Sequence, residues 1–506
     1  MSSSFGNREH AGAAHVLAIP YPIQGHINPM LRFTTQLAEK GIRVSFICYE
    51  DAIPHLHSSS GATDAPSSMQ TSSFRFVTVQ KPSVEPPGVL NDLRSPFDPI
   101  MEKLTRDKNA GVAGGPTCII SDMFLPWTCD VAETLQIPRY SLVTSGVIFA
   151  RYMQGSLVYF DRGQFQISKM DGKLVEFDWP VCIPGLPPLQ FHELEFLHRN
   201  FTSSFRQAVE SLMKSAGLLV NSFLELEEKV VEAFQNPETP EGEGDYRPKK
   251  VPKIYPVGPL FSKTAITHVD NVNALEDSSS RCLNWLDAQP SSSVLYIAFG
   301  SRVHLRPEQI QELAHGLEAS KQRFLWVCPL KIGSTEESPI SITEALPPNF
   351  EARVRDRGCI VTGWAPQLQI LAHSSTGGFF THCGWNSALE SIIFGVPMIG
   401  WPQGAEQHLN CKYIVGELKV AAQIQTGKKE EIVKRDEVER VVRLLMEDSQ
   451  GATIRRNAEE LKRTAAAAMA EGGSQSKIFR EFLDDIQPPQ VSLSLEIKKL
   501  DIGSPH

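Results

Sequence analysis

The stretch from residue 364 to residue 407, WAPQLQILAHSSTGGFFTHCGWNSALESIIFGVPMIGWPQGAEQ, constrains the fold more than any other part of the chain. The apolar run GGFFT predicts a buried strand, and the apolar spacing in SALESIIF predicts a helix after the loop HCGWN. Asn386 and Ser387 are placed to cap that helix, and Gly395 and Pro397 to end it. The free N–H groups and positive dipole end of such a helix favour an anion, and a diphosphate is the ligand we expect. An ordinary capped helix is the alternative.

Strand-like and helix-like patterns alternate along the rest of the chain. The runs HVLAIPYP, VSFICY, TCIISDMF and SVLYIAFG are almost continuously hydrophobic, as in parallel strands that are covered on both faces. After the first run, the loop IQGHIN precedes a helix for which Asn28 is the expected N-cap and Pro29 a first-turn residue. The alternation predicts a doubly wound α/β architecture with right-handed crossovers, in which ligands collect at the carboxyl ends of the strands.

A stretch rich in Pro, Gly and charged residues, QNPETPEGEGDYRPKK at residues 235–250, separates two series of strands and helices. The length of 506 residues suits two domains of roughly 200–250 residues each. We therefore expect one Rossmann-like lobe at residues 1–252, a second at residues 253–473, a helix at about residues 474–487 and a tail at residues 488–506. The two lobes should face each other across a ligand-binding cleft.

The composition argues against several classes of function. A net charge of −9 disfavours a nucleic-acid or anionic-membrane partner, so an anionic ligand must be held by local donors. The nine cysteines form no C-x-x-C pair, and the sequence has neither an apolar stretch of about 20 residues nor a signal-peptide core. We expect a cytoplasmic chain without a membrane span. No G-x-G-x-x-G follows a predicted strand, which disfavours a dinucleotide-dependent oxidoreductase.

Two ionisable residues follow strand patterns in the first half of the chain. His26 lies just after the first strand, and Asp122 ends a later one, in CIISDMF. Parallel strands would place both side chains on one edge of the sheet, where the carboxylate can orient the imidazole as a general base. Such a base is suited to deprotonating a hydroxyl group. The alternative is a loop histidine and a carboxylate that caps the next helix.

The stretch at residues 364–407 resembles the nucleotide-sugar-binding box of the plant secondary-product UDP-glycosyltransferases over its whole length. The residues that match the family pattern are Trp364, Pro366, Gln367, His373, Gly377, Gly378, His382, Cys383, Gly384, Trp385, Asn386, Ser387, Glu390, Gly395, Pro397, Trp401, Pro402 and Gln407. Glu406 departs from it, because the family usually has Asp there. The resemblance extends over about residues 15–486 and implies the GT-B fold, with a last helix that packs back on the first lobe. It also implies that His26 is the general base and Asp122 its partner.

Side-chain chemistry and the resemblance together assign the donor site. Trp364 offers a flat face to uracil, and Gln367 offers an amide to the base or the ribose. Glu390 lies one helical turn after Asn386 and can accept hydrogen bonds from the ribose hydroxyls. The remaining assignments are Ser301, His382, Asn386 and Ser387 to the diphosphate, and Trp385, Glu406 and Gln407 to the sugar. Buried packing of Trp364 and solvent exposure of Glu390 are the alternatives, and His373 has no assigned role.

The sequence contains no Asp-x-Asp, the carboxylate pair with which many transferases hold a divalent metal. The expected reaction is a metal-independent, inverting transfer of glucose from UDP-glucose, without a cofactor, to a hydroxyl group of a lipophilic phenolic, flavonoid or terpenoid. We expect irregular acceptor loops near residues 144–152 and 186–198, and a monomer. Another UDP-sugar, a nitrogen, sulfur or sugar acceptor, and a non-catalytic nucleotide-sugar-binding protein are the alternatives.

Overall fold

The computed structural model describes residues 14–52, 71–81, 93–112, 114–166, 168, 174–194, 203–237, 251–261, 276–300, 303, 305–328, 341–426 and 431–487. Ser301, the tail at residues 488–506 and most of the linker expected at residues 235–250 lie outside these ranges. Within the described residues, no helix combines the length and the apolar character that a membrane crossing requires.

Seven strands form the sheet of the first lobe. They are β1 (His15–Ile19), β2 (Arg43–Tyr49), β3 (Phe74–Val79), β4 (Cys118–Asp122), β5 (Arg139–Val143), β6 (Gly217–Val220) and β7 (Lys253–Pro256). Their order is β3-β2-β1-β4-β5-β6-β7, and all neighbouring strands are parallel. The order reverses between β1 and β4, where Val16 pairs with Cys118. The carboxyl ends of the strands at such a switch point form the ligand crevice of a doubly wound sheet.

Helices cover both faces of this sheet. They are α1 (Gln24–Glu39), α2 (Asp98–Asn109), α3 (Thr128–Leu135), α4 (Val147–Asp161), α5 (Ser203–Met213) and α6 (Leu224–Gln235). The central strands β1, β4 and β5 are buried along their whole length. A strand that is covered on both faces has no solvent side on which to place polar residues, which explains the continuous hydrophobic runs.

The second lobe repeats the plan with six strands. They are β8 (Val294–Ala298), β9 (Arg323–Cys328), β10 (Gly358–Thr362), β11 (Thr376–Thr381), β12 (Met398–Gly400) and β13 (Ala421–Gln423), in the parallel order β10-β9-β8-β11-β12-β13. The helices are α7 (Glu276–Asp287), α8 (Pro307–Ser320), α9 (Ile342–Ala345), α10 (Phe350–Val354), α11 (Gln367–Ala372), α12 (Trp385–Phe394), α13 (Gln407–Lys412), α14 (Arg435–Met446) and α15 (Ser449–Met469). The two sheets confirm the prediction of doubly wound α/β lobes.

The last helix, α16 (Ser474–Asp485), follows the second lobe in sequence but packs against the first. Phe482 is fully buried, with its ring centroid 5.6 Å from that of Phe33, 5.1 Å from that of Tyr140 and 5.4 Å from that of Tyr255. At the end of the helix, Asp485 Oδ2 accepts from Tyr255 OH at 2.5 Å. The apolar face of α16 therefore completes the core of the first lobe.

Helix α1 begins five residues earlier than the sequence pattern predicts. Ile23, with an extended backbone (φ −132°, ψ 150°), is its N-cap, and the Ile23 carbonyl accepts from His26 N and Ile27 N, both at 2.9 Å. The prediction of Asn28 as N-cap is therefore wrong. His26 lies in the first turn of α1 and not in a loop, and Pro29 lies inside the helix.

Two further local predictions are corrected. Gly384 is the N-cap of α12, so Asn386 and Ser387 lie in its first turn and do not cap it. The backbone turns into the helix already at Cys383, whose φ of +63° ends the strand direction. Residues 144–152 are not an irregular loop, because α4 starts at Val147 and is buried over its first turns. Of the second expected acceptor loop, residues 195–198 lie outside the described residues.

Candidate active site

His26 and Asp122 meet at the switch point of the first sheet. His26 Nδ1 lies 2.7 Å from Asp122 Oδ2, and the Asp122 side chain is fully buried while that of His26 is 16% exposed. The second carboxylate oxygen, Oδ1, accepts from Phe124 N at 2.9 Å. Because the carboxylate takes the hydrogen on Nδ1, Nε2 carries the lone pair that can accept a proton. Thr144 Oγ1 is a third neighbour, 3.3 Å from Nδ1.

Aromatic rings surround this imidazole. The centroid of the His26 ring is 5.4 Å from that of Tyr21 and 5.7 Å from that of Phe124. The Phe124 ring centroid is 6.4 Å from that of the buried Phe149, which is 6.2 Å from that of the buried Tyr152. Flat apolar surfaces beside an imidazole favour a flat lipophilic ligand.

His382 lies in a gap that two glycines leave for it at the end of β11. A Cβ atom on Gly300 would come within 2.9 Å of the imidazole, and one on Gly384 within 2.4 Å. His382 Nδ1 is buried and has no hydrogen-bond partner within the described part of the chain. Burial lowers the pKa of His382 to about 4, because the charged form loses its hydration. At neutral pH this ring therefore acts as an uncharged hydrogen-bonding group.

The first turn of α12 contacts the first lobe. The indole of Trp385 is buried, and its Nε1 donates to Asn221 O at 2.7 Å. Asn386 Oδ1 accepts from Asn221 Nδ2 at 2.8 Å, and Asn386 Nδ2 donates to Gly25 O at 3.2 Å. Ser387 Oγ accepts from Gln367 Nε2 at 3.1 Å. Two of the residues assigned to the donor thus also bind the first lobe, and one of them, Asn386, binds the turn that carries His26.

Glu390 is held by a short chain of hydrogen bonds inside the second lobe. Gln367 Nε2 donates to Glu390 Oε2 at 2.7 Å, and Tyr296 OH donates to Gln367 Oε1 at 3.2 Å. Burial raises the pKa of Glu390, while the charge of Arg32 in the first lobe and the Gln367 hydrogen bond oppose that rise. Trp364, at the entrance to α11, is 44% exposed and so leaves a face open for stacking.

Two of the three residues assigned to the sugar, Glu406 and Gln407, lie at the start of α13. Glu406 is its N-cap residue and Gln407 its first residue. Gln407 Oε1 accepts from Gln403 N at 2.8 Å and from Gly404 N at 3.1 Å, which directs its amino group away from that turn. His373 lies elsewhere: its Nε2 is 3.1 Å from Asp287 Oδ1 and its Nδ1 accepts from Ser375 N, so it joins α11 to α7.

The sequence assignments miss Asn221 and Glu227. Both lie in LVNSFLELE, which follows β6. The Glu227 carboxylate accepts from Val147 N at 2.9 Å and Ile148 N at 2.8 Å, at the start of α4. Burial raises the pKa of Glu227, and these backbone donors oppose the rise. A polar residue directly after a buried parallel strand is the signal that could have identified Asn221, whereas Glu227 lies inside α6.

Known proteins are similar to this chain over most of its length. Residues 249–451 match the family model described as UDP-glucoronosyl and UDP-glucosyl transferase, and residues 13–99 match that of the glycosyltransferase N-terminal domain. The chain is 33% identical over 505 residues to cinnamate beta-D-glucosyltransferase of Fragaria ananassa, covering 97% of this chain and 85% of the relative. It is 33% identical to UDP-glycosyltransferase 72B1 of Arabidopsis thaliana, covering 93% and 95%.

Solved structures are similar over the same length. Phytolacca americana UGT2, complexed with UDP-2fluoro-glucose and pterostilbene, has a TM-score of 0.74 at 29% identity and covers 94% of this chain and 100% of that one. Medicago truncatula UGT71G1, complexed with UDP-glucose, has a TM-score of 0.73 at 26% identity and covers 94% and 99%.

Proposed function

The chain belongs to the plant secondary-product UDP-glycosyltransferase family, and we propose that it transfers glucose from UDP-glucose to a hydroxyl group of a lipophilic small molecule. It is a UDP-dependent glycosyltransferase with the GT-B fold. The relatives named for cinnamate and for gallate glucosylation support a small aromatic acceptor, and so do the aromatic rings around His26. Flavonoids and terpenoids have the same lipophilic character.

The contact of 2.7 Å between His26 Nδ1 and Asp122 Oδ2 carries the proposal. Asp122 holds the hydrogen on Nδ1 and stabilises the imidazolium that forms. Nε2 takes the proton of the acceptor hydroxyl while that oxygen forms a bond to C1 of glucose. The bond from C1 to the diphosphate breaks, and UDP leaves with the electron pair from the opposite face. One displacement inverts the anomeric centre and gives a β-glucoside.

In this proposal UDP-glucose binds the second lobe. Uracil stacks on Trp364, Gln367 and Glu390 receive the base and ribose, and the diphosphate lies at the start of α12. Ser301, which lies outside the described residues, is a further hydrogen-bond donor to the diphosphate in this proposal. The dipole of α12 and uncharged donors, among them His382, stabilise the charge that develops on UDP, so neither a metal nor a cofactor is required.

Glu406 and Gln407 receive the sugar hydroxyls in this proposal. Gln407 presents its amino group and Glu406 its carboxylate at the start of α13. Glu406 is one methylene longer than the Asp of the family pattern, so UDP-galactose, UDP-xylose and UDP-rhamnose are tested beside UDP-glucose. Higher turnover with one of these would replace the proposed donor and leave the reaction unchanged.

Each lobe has its own substrate in this proposal. We propose that residues 1–252 bind the acceptor, that residues 253–473 bind the UDP-sugar, and that the helix at about residues 474–487 completes the first lobe. We also propose a cytoplasmic monomer. All nine cysteines are free thiols, which supports a reducing compartment.

The test is turnover of UDP-glucose with a panel of phenols, flavonoids and terpenoids, followed by mass spectrometry of the products. A β-glucoside is expected, with a rate that chelators do not change. His26→Ala should lower kcat about 100- to 10,000-fold, the usual contribution of a general base. Full activity in His26→Ala would refute the role of the dyad. UDP-glucose binding without any product would favour the non-catalytic alternative.

A further inference from the structure

Asn221 lies directly after β6 and joins the two lobes. It is 2% exposed, and its backbone N donates to Val143 O at 3.0 Å. Its Oδ1 accepts from Leu260 N at 2.8 Å. Toward the second lobe, its backbone O accepts from Trp385 Nε1 at 2.7 Å, and its Nδ2 donates to Asn386 Oδ1 at 2.8 Å. Every hydrogen-bonding group of this residue therefore has a defined partner.

These contacts fix the direction of two side-chain amides. A backbone N–H can only donate, so Leu260 N requires the oxygen of the Asn221 amide and turns its Nδ2 toward Asn386. An amino group can only donate, so Asn386 must present Oδ1 to Asn221. The amino group of Asn386 then points to the opposite side, where it donates to Gly25 O at 3.2 Å.

The acceptor at Gly25 exists because of Pro29. In a regular α-helix the N–H of residue i donates to the carbonyl of residue i−4. Pro29 lies inside α1 and has no N–H, so the helical bond to Gly25 O cannot form. The free carbonyl receives Asn386 Nδ2 instead. Since His26 follows Gly25, one amide of the second lobe is bonded to the turn that carries the proposed base.

We propose that Asn221 is a positioning residue that, together with Gly25 O, sets the direction of the Asn386 amide and thereby its ability to donate to a diphosphate. The inference rests on the proposed function, in which Asn386 donates to UDP. An amide NH2 group has two hydrogens, of which one binds Gly25 O and the second is available to a phosphate oxygen. A reversed amide would place its carbonyl oxygen at the same point and repel the phosphate.

The test is a double-mutant cycle on UDP binding. Asn221→Leu keeps the size of the side chain but removes its donor and its acceptor. We expect the UDP dissociation constant, measured by titration calorimetry, to rise about tenfold or more, the effect of losing one hydrogen bond to a charged group. In an Asn386→Ala background the same change should alter the constant by less than about twofold, because no amide is left to direct.

A second ligand separates positioning from general damage. Uridine has no phosphate, so Asn221→Leu should leave its affinity, measured by competition with UDP, within about twofold of the parent value. Equal weakening of UDP and uridine, or an equal effect of Asn221→Leu in both backgrounds, would overturn the inference.

Gln309→Leu provides a matched control for the loss of a buried, hydrogen-bonded amide. Gln309 Nε2 donates to Val433 O at 2.9 Å and Oε1 accepts from Val433 N at 2.8 Å, within the second lobe. We expect a lower Tm and unchanged UDP affinity for this variant. If Asn221→Leu does not fold, Asn221→Ala is used in the same double-mutant cycle, and the same results support or overturn the inference. Absence of UDP binding by the parent protein would refute the proposed function itself, which distinguishes the two failures.

Discussion

Replacement of Asp122 by Asn tests the dyad through the position of one proton. Asp122 Oδ1 accepts from Phe124 N at 2.9 Å, and Oδ2 lies 2.7 Å from His26 Nδ1. In Asp122→Asn the new amide must keep its oxygen on Phe124 N, because that backbone group can only donate. Its amino group then donates to Nδ1, which leaves the imidazole hydrogen on Nε2. The base is present but protonated at the wrong nitrogen.

The size of the effect follows from this geometry. The substitution preserves volume and position, so we expect little change in Tm or in the UDP dissociation constant. A wrong tautomer in the serine-protease triad lowers kcat about 10,000-fold, and general-base catalysis contributes about 100- to 10,000-fold. For Asp122→Asn we expect kcat to fall about 1,000- to 10,000-fold, or about 4–5.5 kcal/mol in barrier height. Asp130→Asn, at an exposed carboxylate on α3, is the control and should keep full activity.

A series of phenolic acceptors makes the assay decisive. Ordinary phenols have a pKa of about 10 and need a base at neutral pH, whereas acidic nitrophenols are already ionised there. The loss of kcat in Asp122→Asn should therefore shrink to within about tenfold as the acceptor pKa falls below the pH of the assay. An equal loss for all acceptors, or retention of more than about a tenth of kcat with ordinary phenols, would refute the tautomer argument.

Three further predictions concern other parts of the structure. Phe482→Ala should lower the free energy of unfolding by about 3–5 kcal/mol, because it leaves a cavity where a buried ring packs in the first lobe. Urea denaturation measures this free energy. A loss below about 1 kcal/mol would contradict the packing described. Trp364→Ala should raise the UDP-glucose KM about 5- to 100-fold, the usual range for aromatic stacking on one base. Its Tm should not fall, because the Trp364 side chain is 44% exposed. Trp364→Phe should recover part of the lost affinity. Burial raises the pKa of Glu390, and ribose hydroxyls donate to its ionised form, so UDP affinity should strengthen as pH rises through that pKa and weaken as pH falls through it. Glu390→Gln should abolish this pH dependence of UDP affinity. The same pH profile in the parent protein and in Glu390→Gln would exclude the role of Glu390.

The fold was predictable because parallel strands leave a strong pattern in sequence. HVLAIPYP and CIISDMF are mostly apolar, and both became central strands. His26 follows the first of them in the first turn of α1, and Asp122 ends the second. The order β3-β2-β1-β4-β5-β6-β7 was not predictable, since neighbours in a sheet depend on contacts between distant segments.

The contacts between the lobes could likewise not be predicted from the sequence. Asn221 and Asn386 are separated by 165 positions, and nothing in either local pattern indicates the other. The start of α1 was misplaced because Asn28 and Pro29 resemble a helix start, whereas Ile23 caps the helix through its backbone alone. The neutral state of His382 depends on burial, which one chain segment does not specify.

The position of α16 has a mechanical consequence. The chain leaves the first lobe after β7 and returns to it after α15, and the described ends of these two passages meet, because Gln475 Nε2 donates to Val257 O at 3.1 Å. A single connecting segment permits both bending and twisting, whereas two adjacent segments resist torsion and still bend. The lobes should therefore bend about the edge where these segments meet, with little twist between Trp385 and Asn221 or between Asn386 and Gly25.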